Sequence, residues 1–241
     1  MRFFCDSRFA TGESLAGPSH IAKNIPNQDS FLFVRKRKYT LLIVSDGLGS
    51  KTRSHIGSAA ACIAVKEELA RFVKKRNQTL PLPNLLKNIV SRWESVIRPH
   101  SPKDCSATCL FLFATRRKIL VARLGDGMVC LLGKNPEKDV FLGDSKDGTF
   151  SNATFSLSDT HSTDEFKVDL FDRSDFCGAV LTTDGISADM ENGKELLFAK
   201  DVFSELDRMK FWKRRSFLRN MLENWPVPHH TDDKTIIVAG L

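Results

Sequence analysis

The chain has 241 residues, 41% hydrophobic and 27% charged, enough apolar material for a sizeable core and consistent with a single domain over residues 1–241. No apolar run approaches the roughly 20 residues of a membrane span, and residues 1–9 carry Arg2, Asp6 and Arg8 where a secretory leader would be apolar, so a soluble cytoplasmic protein with no membrane partner is expected. The net charge of +7 is gathered into short clusters at 36–38, 74–76, 116–118 and 210–215, which read as solvated turns and helix faces; acidic partners suit this charge, and a nucleic-acid partner is not expected.

In chain order, the first clear signal is an apolar run at 31–34, a basic turn at 35–38 and a second apolar run at 39–44, which together read as a β-hairpin. Cys62, Val65, Leu69, Phe72 and Val73 then recur at helical spacing. Leu86, Ile89, Val90, Trp93, Val96 and Ile97 do the same beyond the breaker Pro81-Leu82-Pro83. Strands are expected at 107–115, 118–124 and 128–132, joined by Arg116-Arg117 and Gly125-Asp126-Gly127 and read as a meander. Residues 144–164, rich in Ser, Thr, Asp and Gly, read as a long loop in which 153–157 pairs briefly. Strands return at 166–171 and 179–183, followed by helices at 196–206 and 212–225 and a last strand at 235–239. Two runs of strands and two of helices predict an α/β (α+β) fold, a four-layer α-β-β-α sandwich of two central antiparallel sheets flanked by helix pairs.

Six cysteines are scattered through mostly apolar segments, as reduced core thiols are. Cys105 and Cys109 near His100 lack a second pair at finger spacing, which argues against zinc.

The chemistry lies in aspartates at strand ends: Asp29, Asp46, Asp126 and Asp184, with Asp232 opening the last strand. Any one of these beside glycine reads first as a turn residue that caps its own backbone. Several converging carboxylates repel one another unless cations neutralise them, and oxygen-only ligation favours Mg²⁺ or Mn²⁺. A glycine at position 47 would let a backbone carbonyl approach such an ion.

The motifs Asn27-Gln28-Asp29, Val44-Ser45-Asp46-Gly47-Leu48-Gly49, Cys105-Ser106-Ala107-Thr108, Leu124-Gly125-Asp126-Gly127, Thr182-Thr183-Asp184-Gly185-Ile186-Ser187 and Asp232-Asp233-Lys234-Thr235 occur in the order found in type 2C, metal-dependent protein phosphatases. The chain resembles that family over nearly its whole length, and Gly17-Pro18-Ser19-His20 and the segment 148–154 resemble its bacterial branch. The resemblance implies hydrolysis of phosphoserine and phosphothreonine on protein partners, in opposition to a serine/threonine kinase. It implies two Mn²⁺ or Mg²⁺ ions: Asp46 bridging both, Asp29 and the Gly47 carbonyl on one, Asp184 and Asp232 on the other. Asp126 corresponds to the aspartate of a third, more loosely held ion. A water shared by two dications loses a proton near neutral pH and attacks phosphorus in line, with no phosphoenzyme. The rival thiolate design needs a cysteine at a fixed spacing before an arginine, which none of the six provides.

Three departures stand out. The family's phosphate-clamping arginine is replaced by Asn24, leaving His20 and Lys23 as the nearby cations. His20 reads equally as a phosphate contact, a proton donor to the leaving alcohol or a structural histidine, and Lys23 equally as a phosphate contact or a surface lysine. Ala188 occupies the place of a further acidic residue with Asp189 one position later, and Asp233 replaces a usual asparagine, there either to tighten metal binding or to face solvent. These departures keep open a catalytically weak or silent relative that binds phosphoproteins. His55 reads as a helix-start residue, and His229-His230 as an exposed loop pair.

Overall fold

In the computed structural model, which describes residues 9–74, 82–143, 155–159 and 163–241, two five-stranded antiparallel sheets lie face to face. The first sheet runs β1 (Ala10–Leu15), β10 (Lys234–Gly240), β9 (Phe176–Thr182), β6 (Met128–Gly133) and β7 (Val140–Leu142). The second runs β2 (Ser30–Lys36), β3 (Tyr39–Ser45), β4 (Cys109–Ala114), β5 (Lys118–Leu124) and β8 (Lys167–Asp172). Helices α2 (Ser54–Lys74) and α3 (Leu82–Ile97) cover the outside of the second sheet, and α5 (Glu195–Arg208) and α6 (Phe211–Glu223) that of the first. Two short helices, α1 (Pro18–Ala22) and α4 (Asp184–Ser187), follow β1 and β9.

Side-chain parity along the strands sorts the core into three layers, because successive residues of a strand point to opposite faces. On β3 and β4, Leu41, Ile43, Phe111 and Phe113 face α2 and α3, where they meet Val65, Leu69, Ile89 and Trp93. The alternate residues Leu42, Val44, Leu110 and Leu112 face the other sheet and pack on Val129, Leu131, Leu181 and Ile237. The outer face of the first sheet, including Cys130, Val180 and Val238, is closed by Val202, Phe203, Leu206 and Leu218. Each fully buried side chain of this size stabilises the fold by about 1.5–3 kcal/mol. Central strands buried on both faces therefore read as continuous apolar runs rather than alternating ones.

The four-layer architecture is the expected one, and one connection differs from expectation. Strands β4, β5 and β6 do not form a meander: β5 pairs with β4 and β8, whereas β6 belongs to the other sheet and pairs with β7 and β9. The crossing is made by Gly125 and Gly127 at φ +98° and +102°, a left-handed conformation that glycine adopts without strain. Apart from the exposed Lys118, both strands are buried, so their apolar runs carry no mark of which sheet each joins. Two strands had no sequence signal: β7 has three residues, and β1 (Ala-Thr-Gly-Glu-Ser-Leu) is polar, its buried Glu13 paired with Arg215 of α6 at 2.9 Å. Leu157 forms a bridge to Ala107, as the brief pairing expected at 153–157 requires; residues 144–154 and 160–162 of that loop, which include the motif at 148–154, lie outside the described residues, as do Cys5 and Pro81. The five described cysteines are buried and unpaired with one another. No helix is long and apolar enough to cross a membrane among the described residues.

Candidate metal centre

The antiparallel register brings the aspartate-bearing strand ends to one pole of the sandwich. Ser30 of β2 pairs with Ser45 of β3, so Asp29, preceding one, and Asp46, following the other, flank the same cross-strand rung. In the facing sheet, Thr182 at the end of β9 pairs with Ile236 near the start of β10 and with Met128 at the start of β6, which gathers Asp184, Asp232 and Asp126 at that same end. Carboxylate oxygens of Asp46, Asp126 and Asp184 all lie within 4.8 Å of one another.

Two threonines hold this end together. Thr108 accepts from the Asp46 N–H at 2.8 Å through its hydroxyl and donates its own N–H to the Asp46 carbonyl at 2.7 Å. Thr183 donates its hydroxyl to Oδ2 of Asp29 at 2.7 Å, across from one sheet to the other, and accepts from the Thr235 N–H at 3.2 Å. The other oxygen of Asp29, Oδ1, is buried with no hydrogen-bond partner. A buried carboxylate oxygen without a donor is costly, and a cation is the group that would satisfy it.

Electrostatics agree with the geometry. Burial pushes the Asp29 carboxyl up to about 6. Burial, then the charges of Asp126 and Asp232, push Asp184 up to about 7. Asp46 is raised well above the ordinary carboxylate range by burial and by the charges of Asp29 and Asp184. Without cations this end of the protein resists full ionisation, and an all-oxygen donor set of this kind fits hard divalent ions such as Mg²⁺ or Mn²⁺. Asp232 is exposed beside the group, its Oδ1 accepting from the Asp233 N–H at 2.9 Å, and its charge acts on Asp46 and Asp184. Gly47 donates its N–H to the Gln28 carbonyl at 3.1 Å, and a Cβ there would come within 2.7 Å of Ser54, which gives its lack of a side chain a packing reason.

His20 and Lys23 sit at the same pole. Nδ1 of His20 lies 2.8 Å from Oδ1 of Asp233, while Lys23 is exposed at the end of α1. Asn24 adopts φ +54°, a left-handed conformation that asparagine tolerates better than arginine does. Asp233 does not face solvent, and its charge acts on Asp29. It is 2% exposed, and it accepts from the Gly17 N–H at 2.7 Å and the Gln28 N–H at 2.6 Å as well as holding His20. Asp189 also turns away from the cluster, its Oδ2 accepting from Nε1 of Trp225 at 2.8 Å and pairing with the buried Lys234 at 3.2 Å. His55 is the second residue of α2, His229 is exposed at φ +59°, and His230 is half-buried. Thr108 and Thr183 are the residues whose part the sequence left unassigned, although both lie inside the sequence motifs.

A family profile described as Protein phosphatase 2C matches residues 16–225. No curated protein matches the chain at the level of sequence. Among solved structures, the serine/threonine phosphatase Stp1 from Staphylococcus aureus is 14% identical, with 98% of this chain and 95% of that one covered and a TM-score of 0.62. The catalytic domain of the serine threonine protein phosphatase PstP, in complex with 2 manganese ions, is 16% identical, with 97% of both chains covered and a TM-score of 0.61. RsbX in complex with magnesium is 18% identical, with 96% and 94% covered and a TM-score of 0.59. At these identities the three structures share the fold of this chain. The chain belongs to the protein phosphatase 2C family, and its enzyme class is that of the protein serine/threonine phosphatases.

Proposed function

We propose that this chain is one catalytic unit over residues 1–241, a bacterial cytoplasmic phosphatase that removes phosphate from phosphoserine and phosphothreonine and opposes a serine/threonine kinase. The observation that carries the reading is the convergence of Asp46, Asp126 and Asp184 beside a buried Asp29 whose Oδ1 has no protein donor. In this reading Asp46, with Asp29 and the Gly47 carbonyl on one side and Asp184 and Asp232 on the other, would hold two divalent ions, and Asp126 would hold a third, looser one. Bound there, such ions supply an activated water and offset charge on the phosphoryl oxygens.

The chain's own groups do the rest. Thr108 fixes the backbone that carries Asp46, and Thr183 fixes the Asp29 carboxylate, so that the latter need not reorganise when charge develops. Asp233 holds Nδ1 of His20, which leaves Nε2 to pass a proton to the departing seryl or threonyl oxygen, and Lys23 contacts the phosphate in place of the missing arginine. The test is phosphate release from a phosphothreonine peptide, with Mn²⁺ and with chelator, by the native chain and by Asp46→Ala. Release that needs Mn²⁺ and is lost in the variant is the expected result. Chelator-insensitive release would remove the mechanism, and no release under any condition would favour the silent relative.

A further inference from the structure

The pole opposite the aspartates carries the reverse charge. A cavity of about 560 Å³ opens there at the mouth between the two sheets. The β2–β3 turn brings Lys36, Arg37 and Lys38 to it, and the β4–β5 turn brings Arg116. Lys134, after β6, and Arg173, between β8 and β9, close it from the other side. No acidic side chain is among its lining residues.

The nearest carboxylates are already engaged: Asp172 by Lys118 at 2.8 Å and Asp175 by Lys138 at 3.7 Å. Lys36, Arg37, Lys38, Arg116 and Lys134, by contrast, form no ion pair among the described residues. A second hollow of about 400 Å³ shares Arg37, Lys38 and Arg116 and adds Arg117, so the cationic surface is continuous. Strand β3 joins the two poles, with Tyr39 and Thr40 lining the cavity and Asp46 following its other end, a span of about 20 Å.

Like charges on four separate connections repel, and an anion bearing several charges is what would neutralise them together. The concavity decides its size: the volume falls in the range of small-molecule sites, about 300–1,000 Å³, whereas an extended nucleic acid is tracked along an open groove or stripe. Tyr39, Thr40 and Ser174 add hydroxyl groups to the lining that suit phosphate oxygens. We propose that this cavity binds a small soluble anion carrying several phosphates.

Tripolyphosphate is the probe, titrated calorimetrically into the full chain at about 0.15 M ionic strength, with and without excess Mg²⁺. Arg37→Glu with Arg116→Glu is compared with Lys210→Glu with Lys213→Glu, a pair on α6 that makes the same change in net charge, and with Asp46→Asn. Melting by circular dichroism shows that each variant is folded. Without Mg²⁺ the native chain, the α6 variant and Asp46→Asn should bind with similar affinity, and the cavity variant at least about tenfold more weakly; Mg²⁺, which complexes tripolyphosphate and lowers its charge, should weaken the binding. The same result for Asp46→Asn separates this site from the metal pole, so the inference stands or falls apart from the phosphatase reading. Equal losses in both charge-reversal variants would reduce the effect to overall charge. Orthophosphate binding as tightly as tripolyphosphate, or binding confined to a single-stranded oligonucleotide or to anionic vesicles, would overturn the proposal.

Discussion

Nδ1 of His20 lies 2.8 Å from Oδ1 of Asp233, a carboxylate that is 2% exposed and belongs to the segment leading into β10. The contact turns Nδ1 toward Asp233 and leaves Nε2 outside that bond. If Nε2 delivers the proton to the leaving oxygen, His20→Gln lowers kcat on a phosphothreonine peptide by about a hundredfold. The same variant changes turnover of p-nitrophenyl phosphate little, because that leaving group departs without a proton. Steady-state rates on the two substrates check this, and equal losses on both would assign His20 to phosphate contact or structure instead.

Asp233 itself is a clamp whose removal acts on stability. Its two oxygens accept the backbone N–H groups of Gly17 and Gln28, so Asp233→Ala strands two buried donors as well as His20. A loss of about 2–4 kcal/mol is expected from denaturant unfolding. Asp233→Asn, which keeps one acceptor, should lose less.

Raised carboxyl values at the metal pole make the cation-free protein sensitive to pH in a defined direction. Asp29 moves from 3.8 to about 6 and Asp184 from 3.8 to about 7, so between roughly pH 4 and 7 the folded chain holds more protons than the unfolded one. The contribution of these groups to stability is therefore fully present below pH 4 and is lost as pH rises through 6 and 7. Asp46→Asn removes one of the repelling charges, so without cations it should melt higher than the native chain at pH 8 and close to it at pH 5. With saturating Mn²⁺ at pH 8 the order reverses, because the ion binds ionised carboxylates. Melting curves in chelator and in Mn²⁺ at the two pH values check the sign.

Lys234 and Asp189 form a pair outside the metal cluster. Lys234 is 3% exposed and lies 3.2 Å from Asp189, with Trp225 hydrogen-bonded to the same oxygen. Asp189→Ala strands a buried ammonium and should cost about 3 kcal/mol, while adding Lys234→Met to it should recover part of that loss. Metal affinity of Asp189→Ala, measured calorimetrically, should remain that of the native chain.

The layers of the fold were legible in the sequence because continuous apolar runs mark β2 and β3, and apolar residues recur at helical spacing in α2 and, most clearly, in α3. What was not legible depends on partners distant in sequence. Strand β1 is polar and becomes a strand by pairing with β10, and the β5–β6 turn looks like a hairpin until each strand's partners are known. At the metal pole, the strand-end aspartates stood out by their Asp-Gly steps, but which oxygens meet is set by cross-strand register. Asp233 stood out as a departure, but its clamping part was not legible because the N–H groups it binds lie 216 and 205 residues away.

The central claim is that carboxylates from both sheets form one divalent-ion centre around Asp46. Calorimetric titration of Mn²⁺ into the native chain and into Asp46→Asn at neutral pH tests it most directly. Two ions bound per native chain, with affinity at least about tenfold weaker in the variant, is the expected result. Undiminished Mn²⁺ binding by a folded Asp46→Asn chain, or none by the native chain, would contradict it.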